Sequence, residues 1–219
     1  MRGVTEDTGI DVLVIGLGPA GASAARAAAA AGLRVVAVDR KSEPGHPVQC
    51  AEFVPALINA GDAAQSARIQ PIAEMHTFVE AGSAEVTPEF PGIMIDRRSF
   101  DTHLVEEARK AGADIRMDSA VRDVSPDGTV HLFSGEVLGA PVLIGADGPH
   151  SRVGKAAGLE NKEIIASRQV SVALLKPHNA TDIFLSERLP GGYGWLFPKG
   201  DFANIGLGVS QEYKDRLKP

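Results

Sequence analysis

The stretch "DVLVIGLGPAGASAARAAAAAGLRVVAVDR", residues 11–40, links two short apolar runs through three spaced glycines and an alanine-rich segment, and ends beyond an acid. Val12 to Ile15 is short, rich in β-branched residues and bounded by Gly16, the pattern of a strand buried on both faces. Pro19 suits a first helical turn, and the run to Ala31 has high helix propensity before Gly32 stops it. Leu33 to Asp39 reads as a second buried strand, which completes a βαβ unit.

Gly16, Gly18 and Gly21 form G-x-G-x-x-G between strand and helix, with Pro19 and Ala20 inside the motif. The first glycine allows a tight turn, the second lets backbone N–H groups approach a pyrophosphate, and the third lets helix and strand pack closely. The helix start then offers unpaired N–H groups and partial positive charge to an anion. Asp39 follows Gly21 by 18 residues, where a carboxylate can accept hydrogen bonds from both ribose hydroxyls. An acid there repels a 2′-phosphate, which favours FAD or NAD over NADP. Arg40 is open to two readings, an adenosine contact or a solvated charge at a strand end.

The rest of the chain bounds the function class. With 219 residues, 44% apolar and 23% charged, it has the composition of an ordinary globular protein. A net charge of -6 provides no general basic field, so nucleic acid is not expected as a partner. Cys50 is the single cysteine and fits a reducing compartment. The polar start "MRGVTEDTG" lacks a signal-peptide pattern, and no apolar run reaches membrane-span length; the expected location is cytoplasmic. The six histidines, 46, 76, 103, 131, 150 and 178, show no metal-ligand spacing along the chain, so no metal is expected.

Beyond residue 40, "KSEPGHPVQC" reads as a loop and "FVPALINAG" as a short helix. Residues 72–95 read as antiparallel strands, and "RRSFDTHLVEEARKAGA" as a helix that places Phe100, Leu104, Ala108 and Ala111 on one face, with Gly112 as C-cap and "VEEARK" on a solvated face. "DIRM" and "AVRDVS" read as strands, with "SPDGTV" as a hairpin turn. "APVLIGADG" reads as another buried strand running into a glycine turn, and four more segments from 164 to 210 as one antiparallel sheet. The expected fold is α/β: a Rossmann-like domain with a parallel central sheet (1–71 and 96–158), interleaved with an antiparallel substrate-domain sheet (72–95 and 159–219).

The spacing of the first unit does not separate FAD from NAD; later residues do, by resemblance. "IDRRSFDTHL" resembles the R-x-x-F-D-x-x-L segment of flavoproteins of the aromatic-hydroxylase superfamily, with Arg97 at the position that reaches the flavin side. "GADGPHSRV" is similar to that superfamily's D-G motif, in which the aspartate contacts the cofactor; Asp147 and Gly148 match it. "KSEPGHPVQCAE" resembles the P-V-x-C segment of the geranylgeranyl reductase family, and "GGYGWLFPKGDFANIGLGV" its Y-x-W-x-F-P-x-G sequence. "CAEFVP" departs from the more frequent glycine-rich continuation after that cysteine.

The family implies FAD, with NAD(P)H or another reductant as electron donor, and reduction of carbon-carbon double bonds in an isoprenoid or other apolar lipid. It adds Cys50 and Val121 to the expected cofactor contacts and is compatible with peripheral contact at a membrane. Alkene reduction takes a hydride to one carbon and a proton to the other, and no side chain carries a hydride. Tyr193, Trp195 and Phe197 alternate, so a strand places all three on one face, as a channel lining or simply as the buried side of a sheet. No catalytic proton donor is assigned. A flavin monooxygenase, a cyclase using reduced flavin without net redox, and a non-catalytic FAD-binding module are the competing readings. The superfamily also carries a later G-D motif opening a helix at the flavin end, and no G-D-x-x-G occurs in the tail "QEYKDRLKP". The expectation is an N-terminal portion of the family architecture that retains flavin weakly and exposes apolar surface.

Overall fold

The computed structural model describes residues 9–58 and 61–217. In chain order the elements begin with β1 (Val12–Ile15), α1 (Pro19–Ala30), β2 (Val35–Val38), β3 (Phe53–Pro55), α2 (Gly61–Ser66), β4 (Arg68–Ile72), β5 (Glu74–Val79), β6 (Glu85–Thr87) and β7 (Gly92–Ile95). There follow α3 (Arg97–Lys110), β8 (Asp114–Arg116), β9 (Val121–Val124), β10 (Val130–Leu132), β11 (Val137–Leu138), β12 (Val142–Gly145) and α4 (Arg152–Ala156). The last elements are β13 (Ile165–Ala173), β14 (Ala180–Leu185), β15 (Gly194–Lys199), β16 (Phe202–Ser210) and a 3-10 turn, Gln211–Leu217. They fall into two compact units, drawn from 1–48 with 98–161 and from 49–97 with 162–219.

The first unit is built on a parallel sheet in the order β12-β1-β2-β8. Successive side chains of a strand point to opposite faces, and both faces of β1 are buried. Val12 and Val14 join Ala22, Ala25 and Ala29 of α1 and Val105 and Ala108 of α3 in one core layer. Leu13 and Ile15 join Val121, Val130, Leu132 and Leu138 of the small sheet β11-β10-β9 in the other. The small residues at 21, 22, 25 and 29 are the buried stripe of α1; their missing bulk is what lets the helix lie close on the sheet. The expected helix face of α3 is seen too: Phe100 and Ala108 are buried, and Leu104 and Ala111 pack against the core.

The second unit has a six-stranded sheet, order β13-β16-β15-β14-β5-β6, and a three-stranded sheet, order β3-β7-β4. Three expectations are corrected here. The stretch 53–55 is a strand and not a helix, because Phe53 and Val54 pair with Met94 and Ile93 of β7; residues 59–60 of the same expected helix lie outside the described residues. The large sheet is not wholly antiparallel, since β14 runs parallel to β5. Residues 49–71, expected with the nucleotide-binding part, belong to the second unit, because β3 and β4 both hydrogen-bond to β7.

An ion pair clamps the entrance of the βαβ unit. Asp11 Oδ2 accepts hydrogen bonds from the Arg34 backbone N–H (2.8 Å) and Nε (3.1 Å), and Oδ1 accepts from Nη2 at 2.8 Å. The Arg34 hydrogen bonds hold the Asp11 carboxyl down at a pKa of about 2. Its folded pKa lies below its unfolded one, so its contribution to stability is present above the unfolded value near 3.8 and fades as pH falls toward about 2. In an NMR titration Asp11 should stay ionised to about pH 2, and Arg34→Met should return it toward the ordinary carboxylate range. An Asp11 titration unchanged by Arg34→Met would refute the clamp.

Candidate functional site

In the first unit the glycine turn divides into three roles. Gly16 has φ +94°, and a Cβ there would stand 2.3 Å from the Ala146 carbonyl oxygen. A Cβ on Gly21 would stand 1.8 Å from the Gly16 carbonyl oxygen. Both glycines are therefore demanded by the fold itself. Gly18 is different: its φ is -69°, and a Cβ built there meets nothing within 4 Å. It is the N-cap of α1, no side chain caps the helix, and the first turn holds no acid. Open space at a helix start with uncapped N–H groups fits the pyrophosphate of a dinucleotide. Pro19 and Ala20 form the first turn beside it, with Ala20 exposed.

Asp39 is half-buried at the end of β2. Its Oδ2 accepts from Leu17 N–H at 2.6 Å and its Oδ1 from Lys41 N–H at 2.8 Å, so the carboxylate ties the glycine turn to the end of the second strand. Each oxygen keeps acceptor capacity for a ribose hydroxyl. Arg40 is exposed. The Val121 side chain lies in the core, which leaves its main chain as the part that can meet a ligand. Asp147 accepts from Ser151 Oγ at 2.5 Å and Arg152 N–H at 2.6 Å, while Ser151 Oγ accepts from Gly154 N–H at 2.7 Å. Its carboxylate thus shapes the turn into α4, next to Gly148 at φ +85°. The hollow lined by Arg26, Ala27, Ala30, Glu107, Lys110 and Ala111 is at the C-terminal half of α1, roughly 12–18 Å from Gly18 at 1.5 Å per residue, and is a separate feature.

The second unit carries Cys50, Arg97, Tyr193, Trp195 and Phe197. Its hub is a residue the sequence did not single out. Glu52 is 4% exposed and has φ +70°. Its carboxylate accepts from Arg97 N–H (Oε1, 2.9 Å), Lys199 Nζ (both oxygens, 2.9 Å) and Asn204 Nδ2 (Oε2, 2.9 Å). Lys199 also reaches Asp96 at 3.5 Å. Glu52 therefore fixes Arg97 and the strands β15 and β16 to the segment after Cys50.

That segment is held at two further points. Asn204 Nδ2 donates to the Ala51 carbonyl at 3.2 Å, and Gln169 Nε2 donates to the Cys50 carbonyl at 3.1 Å. Gln169 Oε1 in turn accepts from the indole Nε1 of Trp195 at 2.9 Å. One amide therefore joins the cysteine segment to the tryptophan. Trp195 lies over Gly206, where a Cβ would be 2.3 Å from its ring; a glycine inside a strand was the available signal. The Cys50 thiol is free and half-buried, and its Sγ accepts from Glu52 N–H at 3.2 Å.

The three aromatic residues differ in burial. Phe197 is 9% exposed and packs with Phe53, Ile72 and Met94, a cluster that Trp195 also meets. Trp195 is half-buried, and Tyr193, just before β15, is 43% exposed and meets it edge-on at 5.9 Å. The fold also brings His76 to His178 and Asp182, which are four residues apart in the chain, where β5 pairs with β14. Replacing Glu52 with Gln removes the charge facing a largely buried lysine, and unfolding stability should fall by about 2–4 kcal/mol. A thermal unfolding midpoint equal to that of the parent would refute the hub.

The FAD binding domain model matches residues 9–188, and the geranylgeranyl reductase catalytic domain model matches residues 163–219. The digeranylgeranylglycerophospholipid reductase of Methanocaldococcus jannaschii is 32% identical over 95% of this chain, and digeranylgeranylglycerophospholipid reductase 1 of Methanopyrus kandleri is 37% identical over 91%. The chain spans 57% of the length of both. A geranylgeranyl bacteriochlorophyll reductase-like protein of Thermoplasma acidophilum superposes with TM-score 0.80 at 28% identity, covering 93% of this chain and 57% of that one. P. aeruginosa PqsL, at 20% identity and TM-score 0.70 over 95% of this chain and 63% of its own, shares the fold. The open cradle at Gly18 and the D-G turn both lie within residues 9–188, and the chain belongs to the FAD binding domain family, with similarity to the geranylgeranyl reductase catalytic domain over residues 163–219.

Proposed function

We propose that this chain carries the FAD-binding part and a portion of the substrate-binding part of an oxidoreductase that reduces carbon-carbon double bonds in a polyprenyl lipid. The observation that carries the reading is the open cradle at Gly18, flanked by two glycines that the fold cannot replace. When bound and reduced, the flavin supplies the hydride. Gly16, Gly18, Gly21 and the first-turn N–H groups of α1 would hold the pyrophosphate, and Asp39 the ribose. Arg97, Asp147, Gly148 and the main chain at Val121 are further cofactor contacts in this reading. Tyr193 and Trp195 are the substrate-side aromatics, with Cys50 set beside Trp195 through Gln169. The names of the relatives support a lipid with geranylgeranyl chains, and such a substrate would be met at a membrane surface. No helix among the described residues is long and apolar enough to cross one.

Two glycine substitutions separate cofactor binding from folding. Gly18→Asp places a capping carboxylate at a helix start, which should leave apo stability unchanged or raise it by about 0.3–1 kcal/mol. The same charge repels a pyrophosphate, so flavin absorbance in the purified protein should be lost. Gly21→Ala drives a methyl into the Gly16 carbonyl and should destabilise the apoprotein by about 1–3 kcal/mol. Retained flavin in Gly18→Asp would overturn the cradle. For the reaction, anaerobic incubation with NAD(P)H or dithionite and a geranylgeranylated lipid should add two hydrogens per double bond, read by mass spectrometry. No reduction of the lipid under these conditions, with substrate-dependent oxygen uptake in a parallel aerobic incubation with NAD(P)H, would instead favour a monooxygenase.

A further inference from the structure

We propose that His76, His178 and Asp182 form a binding site for one divalent transition-metal ion, of the kind that two imidazoles and a carboxylate select, with Zn2+ as the probe ion. The site is independent of the flavin reading. Asp182 Oδ1 stands 3.2 Å from His76 Nδ1 and 3.0 Å from His178 Nε2, and the three ligand atoms all lie within 4.8 Å of one another. Ligands each about 2.0–2.1 Å from a tetrahedral ion stand roughly 3.3 Å apart. The side chains are therefore already near the spacing an ion needs. They are also shielded, with exposures of 22%, 27% and 13% for His76, His178 and Asp182.

Hydrogen bonding points the same way. His76 Nε2 is 3.0 Å from Glu74 Oε1, while its Nδ1 faces Asp182. A neutral imidazole has one N–H, so between two carboxylates one ring nitrogen turns a lone pair toward an anion. A cation between His76 Nδ1 and Asp182 removes that conflict and leaves Nε2–H to donate to Glu74. That is the carboxylate–histidine–metal arrangement in which an outer carboxylate fixes the tautomer and raises ligand basicity. The remaining ligand is held in place by main chain: Gln70 Nε2 donates to the His178 carbonyl at 3.0 Å, and Ala73 N–H to the Asn179 carbonyl at 3.1 Å.

The site also has its own place on the sheet. His76 pairs directly with Asp182 across the parallel β5–β14 ladder, and Asp182 stands opposite Leu196. Trp195 is one residue away on β15 and so points to the other face. A bound ion would staple β5 to β14 and the turn before it, two segments far apart in the chain, without entering the aromatic side of the sheet.

The test is calorimetric titration of untagged, EDTA-treated protein with Zn2+, repeated with Co2+ to read coordination from its visible bands. Expected are one saturable ion per chain, a rise in the thermal unfolding midpoint on adding Zn2+, and tetrahedral-type Co2+ bands. His178→Gln and Asp182→Asn should weaken binding at least 100-fold. Glu74→Gln touches no ion, is half exposed to solvent, and should weaken binding about 10–100-fold with the midpoint in EDTA unchanged; it keeps the test decisive if a ligand variant fails to fold. Flavin occupancy should be the same in Glu74→Gln as in the parent. No saturable binding at millimolar Zn2+, or binding that His178→Gln leaves intact, would overturn the site. So would a 15N spectrum showing both His76 nitrogens protonated with Zn2+ present, since a proton would then be the occupant.

Discussion

In the first unit α1 lies against the turn that precedes it with no room for a side chain at Gly21. With no side chain at Gly21, the helix sits where any Cβ would be 1.8 Å from the Gly16 carbonyl oxygen. The buried alanine stripe 22, 25 and 29 continues that approach along the sheet. Because the helix is this close, its first N–H groups emerge beside the ends of the parallel strands, where open α/β sheets bind ligands. Asp39 then reinforces the turn through Leu17 N–H. The open cradle is in this sense a consequence of packing: the geometry that buries β1 on both faces also leaves Gly18 facing open space.

The second unit solves a different problem with charge. Its cysteine segment is irregular and must be held without a helix or a long strand. A buried carboxylate at 52 with three donor groups around it, and two side-chain amides on the neighbouring carbonyls, take that role. Burying a charge costs several kcal/mol unless it is paired and hydrogen-bonded, and here every partner is present. The cost is offset only in one arrangement of β7, β15, β16 and residues 50–52, so the cluster specifies that arrangement. Gln169 extends it to Trp195, since its carbonyl can meet the indole N–H only while its amide faces the Cys50 carbonyl.

The sheet of the second unit thereby presents two chemically distinct faces. Trp195, Gln169 and Asn204 belong to the side that holds the cysteine segment, and His76 and Asp182 to the other. Period-2 alternation makes this possible, because adjacent residues of a strand such as 195 and 196 are assigned to opposite faces. One strand can then carry an aromatic surface on one face and an unrelated polar cluster on the other without either disturbing the other.

Residues 11–40 determined the βαβ unit by themselves, because a buried parallel strand, a helix start and a phosphate turn each impose a local residue type: β-branched, proline at the first turn, glycine where a Cβ collides. Family motifs around Cys50, Arg97, Asp147 and Trp195 were legible for the same reason, as short contiguous patterns. Tertiary structure alone decided the rest. Phe53 is a strand residue because β7 lies beside it, and Phe197 is core because Phe53 and Met94 meet it, although its alternation with Tyr193 and Trp195 is unbroken. Glu52, Lys199 and Asn204 form one cluster from positions up to 152 residues apart, and His76, His178 and Asp182 another. A buried charge or a ligand set is a property of what surrounds a residue, and pairing across strands, which supplies those surroundings, leaves no periodic trace in the chain.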